Sequence, residues 1–275
     1  MQAQPTISAV IAVHEEDQVI GRCLDSLQGV VDEIIVVHDG PCGDRTVDIA
    51  GEKGARVFIR ERTAIPEGHT AFAYGQATGD WLLNVDADEF LSADLRAHLR
   101  ELTRRPGVAG YRLLWPHWNG RRYDSDSGPH KLVLFRRDSV SLIGVPHAIE
   151  HVEGKVERVP YQLEHKPLKP NYDPRTFIRK WRRWARVHAH AYLSPWDTID
   201  TYNVSAGDWP LSRKIANALS PILFIPYGIA IGVMSVKISY DDGLPPLKAL
   251  RAGTYLGLYG GLVQAYVAKQ RYLER

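Results

Sequence analysis

Trp81-Leu-Leu-Asn-Val-Asp86-Ala-Asp88-Glu89 is the stretch on which the reading of this chain turns. Trp81 to Val85 is an apolar run of strand character, preceded by the turn signal Gly79-Asp80, and it stops at two aspartates separated by one alanine. A buried strand that ends in this way presents both carboxylates at one edge of a sheet. At that spacing their oxygens can reach a single hard divalent cation that also takes diphosphate oxygens. An acidic pair on a solvated turn is the competing reading, and the surrounding sequence decides between the two.

Upstream, strand and helix patterns alternate. Ile7 to Val13 is a short β-branched run suited to a strand buried on both faces. Asp17 to Leu27 then places Val19, Ile20, Cys23, Leu24 and Leu27 on one helical face. Ile34 to Val37 is a second strand and runs into the turn His38-Asp39-Gly40-Pro41. Asp44 is a candidate cap for a short helix carrying Val47, Ile49 and Ala50, broken by Gly51 and Gly54. Val57 to Ile59 is a third strand, Gly68 to Thr78 a small-residue helix, and Trp81 to Val85 the fourth strand. The alternation predicts an α/β fold, a mainly parallel sheet covered by helices on both faces, with ligands at the carboxyl ends of the strands. Asp39 and Asp86 both fall at such ends.

Beyond Glu89, Ser92 caps a predicted helix to about Arg104, with Leu95, Leu99 and Leu102 inward. Tyr111 to Trp115 and Leu132 to Phe135 read as further strands, separated by a polar loop, Asn119 to His130, of the kind found beside active sites. Tyr172 to Tyr192 is a helical pattern rich in arginine and tryptophan. Ile215 to Val236 is 22 residues without a charge, bracketed by Lys214 and Lys237. It is long enough to cross a bilayer. Pro221, Pro226, Gly228 and Gly232 favour a kinked, re-entrant or interfacial segment instead. A Gly- and Tyr-rich stretch, Ala252 to Val267, follows Pro245-Pro246. The division expected is a catalytic domain over 1–210 and a mostly helical, membrane-associating or oligomerising tail over 211–275.

The 275 residues, 44% hydrophobic and 24% charged, describe an ordinary globular protein. A net charge of +2 gives no support to nucleic acid as a partner. Cys23 and Cys42 are the two cysteines, without paired histidine spacing, and are expected as reduced thiols of a cytoplasmic protein. The start of the chain has no basic leader pattern and is not expected to be a signal peptide.

Three segments together resemble glycosyltransferase family 2 and its GT-A fold: Ile7-Ser-Ala-Val-Ile-Ala-Val-His-Glu-Glu, Val31-Asp-Glu-Ile-Ile-Val-Val-His-Asp-Gly with Asp44-Arg-Thr, and Ala77-Thr-Gly-Asp-Trp-Leu-Leu-Asn-Val-Asp-Ala-Asp-Glu. The resemblance implies a donor site formed by Val13, Glu15, Asp39, Asp86 and Asp88, with Glu15 and Asp39 near base and ribose. It implies a UDP- or GDP-sugar donor, with Asp86 and Asp88 on the sugar-diphosphate and its Mn²⁺ or Mg²⁺. The second half resembles bacterial lipopolysaccharide core glucosyltransferases through Val145-Pro-His147-Ala-Ile-Glu150-His151, Gly154, Leu163-Glu-His165 and the basic helix from Phe177. It departs from their Val-His-Glu element, carrying Ala148 where the glutamate stands.

Inverting transfer needs a base for the acceptor hydroxyl. Glu150 is the first candidate, Glu153 a less favoured carboxylate, and His147 and His151 are outside candidates. His165 is a candidate third metal ligand. Arg179, Arg182 and Arg183, in the cluster that also holds Arg175, Lys180, Arg186, Trp181 and Trp184, are expected to meet an anionic acceptor or lipid. The function expected is metal-dependent inverting glycosyl transfer to a lipid-linked or lipopolysaccharide-type glycan, at the inner face of the cell membrane. A homo-oligomer is compatible with the apolar tail. Two alternatives are a sugar nucleotidyltransferase, disfavoured by the absence of a Gly-rich basic loop in the first βα turn, and a non-catalytic accessory relative. The Gly-x-Gly-x-x-Gly fingerprint of a dinucleotide enzyme is absent.

Overall fold

The computed structural model describes residues 4–116, 118, 120–123, 129–145, 150–168, 174–193, 198–204, 225–237 and 246–272. The chain forms two compact units, Met1–Pro170 with Asp200–Val204, and Asn171–Ile199 with Ser205–Arg275. The basic helix therefore belongs to the second unit.

The first unit is built on an eight-stranded sheet in the order β3-β2-β1-β4-β7-β6-β10-β5. Its strands are β1 (Ile7–Val13), β2 (Glu33–Asp39), β3 (Arg56–Arg60), β4 (Trp81–Asn84), β5 (Glu89–Leu91), β6 (Gly110–Leu114), β7 (His130–Arg136) and β10 (Val156–His165). Pairing is parallel across β3, β2, β1 and β4 and between β6 and β10, and antiparallel at β7 and β5. The sheet is thus largely parallel, with β5 and β7 opposed to the rest. A three-stranded sheet carries β8 (Val140–Ile143) between β9 (His151–Val152) and β11 (Thr201–Tyr202).

The continuous apolar runs are explained by burial on both faces. Ile7, Ala9, Ile11 and Val13 of β1 pack into one core with α1 (Asp17–Leu27) and α4 (Ala93–Arg104). Val10, the intervening position, packs into a second core with α3 (Thr70–Gln76), through Ala71, Ala73 and Tyr74. Period-two alternation sends successive β1 residues to opposite faces, so both must be apolar. The face expected inward on α1 is the buried one. Ser92 caps α4 as expected, its hydroxyl accepting from Leu95 N–H.

Local boundaries differ in two places. The segment read as one helix from Gly68 begins as a 3₁₀ turn, Pro66–His69, before α3. The proline favours that tight first turn. Asp44 stands one residue ahead of the cap of α2 (Thr46–Glu52), which is Arg45, yet its carboxylate accepts from Thr46 N–H and Asp17 N–H. It therefore ties the α2 start to the α1 start.

In the second unit, α5 (Pro174–Leu193) packs Ala185 and Ala189 against Tyr259, Val263 and Val267 of α7 (Pro246–Tyr272). Helix α6, residues 225–237, lies against α7 through glycines. A Cβ on Gly228 would sit 2.7 Å from the Gly257 carbonyl oxygen, and one on Gly232 would sit 3.0 Å from that of Gly253. Four-residue glycine spacing on both helices permits this backbone-to-backbone approach. Ile225, Ile229, Val233, Leu250 and Leu258 remain exposed around it. Among the described residues no helix is long and apolar enough to cross a membrane. Of the uncharged run Ile215 to Val236, residues 215–224 lie outside the described residues.

Candidate active site

Parallel β2, β1 and β4 are neighbours, and their carboxyl ends bring together Asp39, Val13 to Glu15, and the Asp86-Ala-Asp88 turn. Val13 is buried at the end of β1 and pairs with His38. Glu15 follows with φ of 51°, a left-handed conformation that a non-glycine residue adopts at a cost. Its carboxylate lies against Gly43, where a Cβ would come within 2.8 Å of Oε1.

Asp39 is fully buried. Its Oδ1 accepts from Thr63 N–H at 2.5 Å, Thr63 Oγ1 at 3.0 Å and His69 Nε2 at 2.9 Å. Burial works against ionisation, but the His69 and Thr63 hydrogen bonds outweigh it and lower the carboxyl pKa to about 2. Its Oδ2 is buried without a hydrogen-bond partner. A buried acceptor in that state suits a donor brought by a ligand.

The acidic turn is held from several sides. Asp86 N–H donates to Glu89 Oε2 at 2.8 Å, Lys166 N–H to the Asp88 carbonyl at 3.0 Å, and β5 continues the turn onto β10. Lys131, at the start of β7, reaches Asp86 Oδ2 at 2.8 Å and both oxygens of buried Glu89 at 2.7 and 2.9 Å. Burial works against this ammonium, and the two carboxylates outweigh it, holding its pKa above the ordinary lysine value. Trp115 donates Nε1–H to Glu89 Oε1 at 2.6 Å and stacks on His165 with ring centroids 4.8 Å apart. His165 Nε2 lies 3.3 Å from Asp88 Oδ2. Burial opposes the imidazolium, but the Asp88 hydrogen bond and the charges of Asp88, Glu89 and Asp86 prevail and raise its pKa.

Asp88 and His165 therefore face one another, while Asp86 is engaged by Lys131. One carboxylate and one imidazole, with positions left for phosphate oxygens and water, suit Mn²⁺ or Mg²⁺. Asp86, Asp88 and His165 do not converge as a three-ligand group. Among the described residues the trio of ligand atoms lying within 4.8 Å of one another is that of His38, Cys42 and Asp44.

Glu150 is brought to the same strand end. Its Oε1 accepts from Tyr74 Oη–H at 2.9 Å and from the Asn84 side-chain amide at 3.0 Å. His147 and Ala148 lie outside the described residues, as does much of the polar loop from Asn119. On α5, Arg182 and Arg183 are exposed, and the Arg179 side chain lies outside the described residues. The sequence reading gave no role to Lys131, Glu89, Trp115, Tyr74, Asn84, Thr63 or His69. Glu89 directly follows Asp88 and was the one of these open to suspicion from position alone.

The family model for glycosyl transferase family 2 matches residues 8–153, more than half of the chain, and the protein belongs to that family. An uncharacterized glycosyltransferase of Rickettsia felis is 41% identical over 90 residues, which are 33% of this chain and 31% of the relative. The lipopolysaccharide core biosynthesis glycosyltransferase LpsC of Rhizobium meliloti is 30% identical over 120 residues, covering 38% of this chain and 44% of its own. The chain thus spans under half the length of these relatives. Among solved structures, Staphylococcus aureus TarS 1–349 is similar with a TM-score of 0.45 and 14% identity, over 97% of this chain and 91% of that one. Mycobacterium tuberculosis glucosyl-3-phosphoglycerate synthase, solved with Mn²⁺, UDP and phosphoglyceric acid, gives 0.44 and 17% over 69% and 78%.

Proposed function

We propose that the protein is an inverting glycosyltransferase that moves a sugar from a nucleoside-diphosphate-sugar to an acceptor hydroxyl. The observation that carries this reading is the anchoring of Glu150. The Asn84 amide that holds its carboxylate lies on β4, two residues before Asp86, so a proton acceptor and the donor-side aspartates share one strand end.

Asp39 Oδ2 accepts a hydrogen bond from the base or ribose of a UDP- or GDP-sugar, relieving the one unpartnered oxygen of a buried carboxylate. Asp88 and His165 hold Mn²⁺ or Mg²⁺, which when bound neutralises charge on the departing diphosphate. Lys131 keeps Asp86 and Glu89 together and fixes the turn on which Asp88 sits. Glu150 removes the proton of the acceptor hydroxyl, with Tyr74 and Asn84 fixing one carboxylate oxygen. The acceptor is a lipid-linked or lipopolysaccharide-type glycan, and the protein works at a membrane surface. Exposed Arg182, Arg183 and Arg186 and the exposed apolar residues of α6 and α7 support that reading.

Glu150→Gln keeps the side chain's size and the capacity to accept from Tyr74, while removing the base. Turnover is expected to fall by about 10²–10⁴ with donor affinity unchanged. Wild-type turnover in this variant rules Glu150 out, and normal donor binding with no turnover in the wild type favours an accessory, non-catalytic protein.

A further inference from the structure

The end of β2 and the turn that follows it carry a group that the glycosyl-transfer reading does not use. A ring nitrogen of His38, Sγ of Cys42 and a carboxylate oxygen of Asp44 lie within 4.8 Å of one another. Imidazole, thiolate and carboxylate form a mixed ligand set of the kind that zinc takes.

His38 is fully buried, and its Nδ1 lies 2.7 Å from the Gly40 carbonyl oxygen. A carbonyl only accepts, so Nδ1 carries the proton and Nε2 the lone pair. A backbone carbonyl fixing the tautomer in this way is the usual support of a metal-ligating histidine. The Nε2 contact is a long one, 3.3 Å from the N–H of exposed Glu15. Cys42 is only partly buried, and its Sγ lies 3.3 Å from Asp44 Oδ1, so thiol and carboxylate already point at each other. Asp44 Oδ1 accepts from Thr46 N–H and from the Cys42 thiol, and the second place is vacated when the thiol loses its proton, while Oδ2 accepts from Asp17 N–H. Tetrahedral ligands at about 2.0–2.3 Å from zinc are roughly 3.5 Å apart. Closing that gap falls to the partly exposed Cys42, because two backbone donors hold Asp44 in place.

We propose that His38, Cys42 and Asp44 form a binding site for one zinc-class transition-metal ion, distinct from the Asp88–His165 pair, with water in the fourth position. On binding, the Cys42 thiol loses its proton to solvent and the thiolate sulfur bonds to the metal. The ion ties the end of β2 to the β2–α2 turn, which the Glu16–Thr46 and Asp17–Asp44 hydrogen bonds already join to the start of α1.

Cobalt(II) titration of the intact, metal-free protein tests this, because thiolate-bound cobalt gives a near-ultraviolet charge-transfer band that an oxygen-and-nitrogen site does not. The expected result is a band saturating at one equivalent, removed by added Zn²⁺, absent in Cys42→Ser and retained in Cys23→Ser and Asp88→Ala. Zn²⁺ is also expected to raise the melting temperature of wild type and not of Cys42→Ser. No band in folded wild type, a band that survives Cys42→Ser, or one lost in Asp88→Ala would overturn the assignment. Because the readout is spectroscopic, it is independent of whether the glycosyl-transfer reading holds.

Discussion

Asp39 holds the fold through one carboxylate oxygen and leaves the other to the proposed site. Three donors from Thr63 and His69 converge on Oδ1, leaving Oδ2 buried and unused. Its pKa is lowered from 3.8 to about 2, so its stabilising contribution is complete above pH 3.8 and is lost as pH falls toward 2. That difference corresponds to about 2 kcal/mol. Asp39→Asn is therefore expected to be less stable than wild type at neutral pH and to lose less stability between pH 4 and 2, as followed by urea denaturation at several pH values. Identical acid-limb slopes in the two proteins would contradict it. The aspartate pair and Asp39 were legible in the sequence because each ends a recognisable buried strand. Lys131, Trp115 and His69 were not, since what makes them part of the site is pairing between strands and loops distant in sequence. Lys131 reaches Asp86 across 45 residues.

Among elements, strands marked by an apolar run were readable, β3 with its exposed residues included, and β10 was not. β10 alternates irregularly, contains Pro160, and shifts register between Val159 and Gln162. Proline removes a ladder donor there, so the run does not present a strand pattern. Yet β10 delivers His165 to Asp88. The helical tail was readable as helical, and Gly228 and Gly232, read in the sequence with Pro221 and Pro226 as favouring a kinked or interfacial segment, are points of close contact with α7. Gly257→Ala places a Cβ 2.6 Å from the Gly228 carbonyl oxygen, an overpacking expected to cost about 1–3 kcal/mol. Gly260→Ala meets Ile231 at an ordinary 3.5 Å and gains up to about 1 kcal/mol of helix propensity. Thermal melts are expected to show a lowered midpoint for the first variant and an unchanged or raised one for the second. Equal midpoints would argue against close packing of α6 on α7.

For the molecule as a whole, the membrane-surface reading rests on the composition of the second unit: exposed arginines on α5 and exposed apolar side chains on α6 and α7. Sedimentation with vesicles containing anionic lipid is expected to capture the protein, and capture is expected to weaken at least tenfold in an Arg182→Glu, Arg183→Glu double variant, at about 1 kcal/mol per basic residue removed. Equal binding to neutral and anionic vesicles would exclude this electrostatic contribution. The central claim, however, belongs to the first unit, where three parallel strand ends form the proposed donor site. It is tested most directly by calorimetric titration of UDP, GDP and their sugar conjugates into wild type and Asp88→Ala, with Mn²⁺ and then with chelator. The account predicts binding of one nucleotide family that requires the metal and is lost in the variant. A folded wild type that binds none of them, or an Asp88→Ala protein that binds as wild type does, would contradict it.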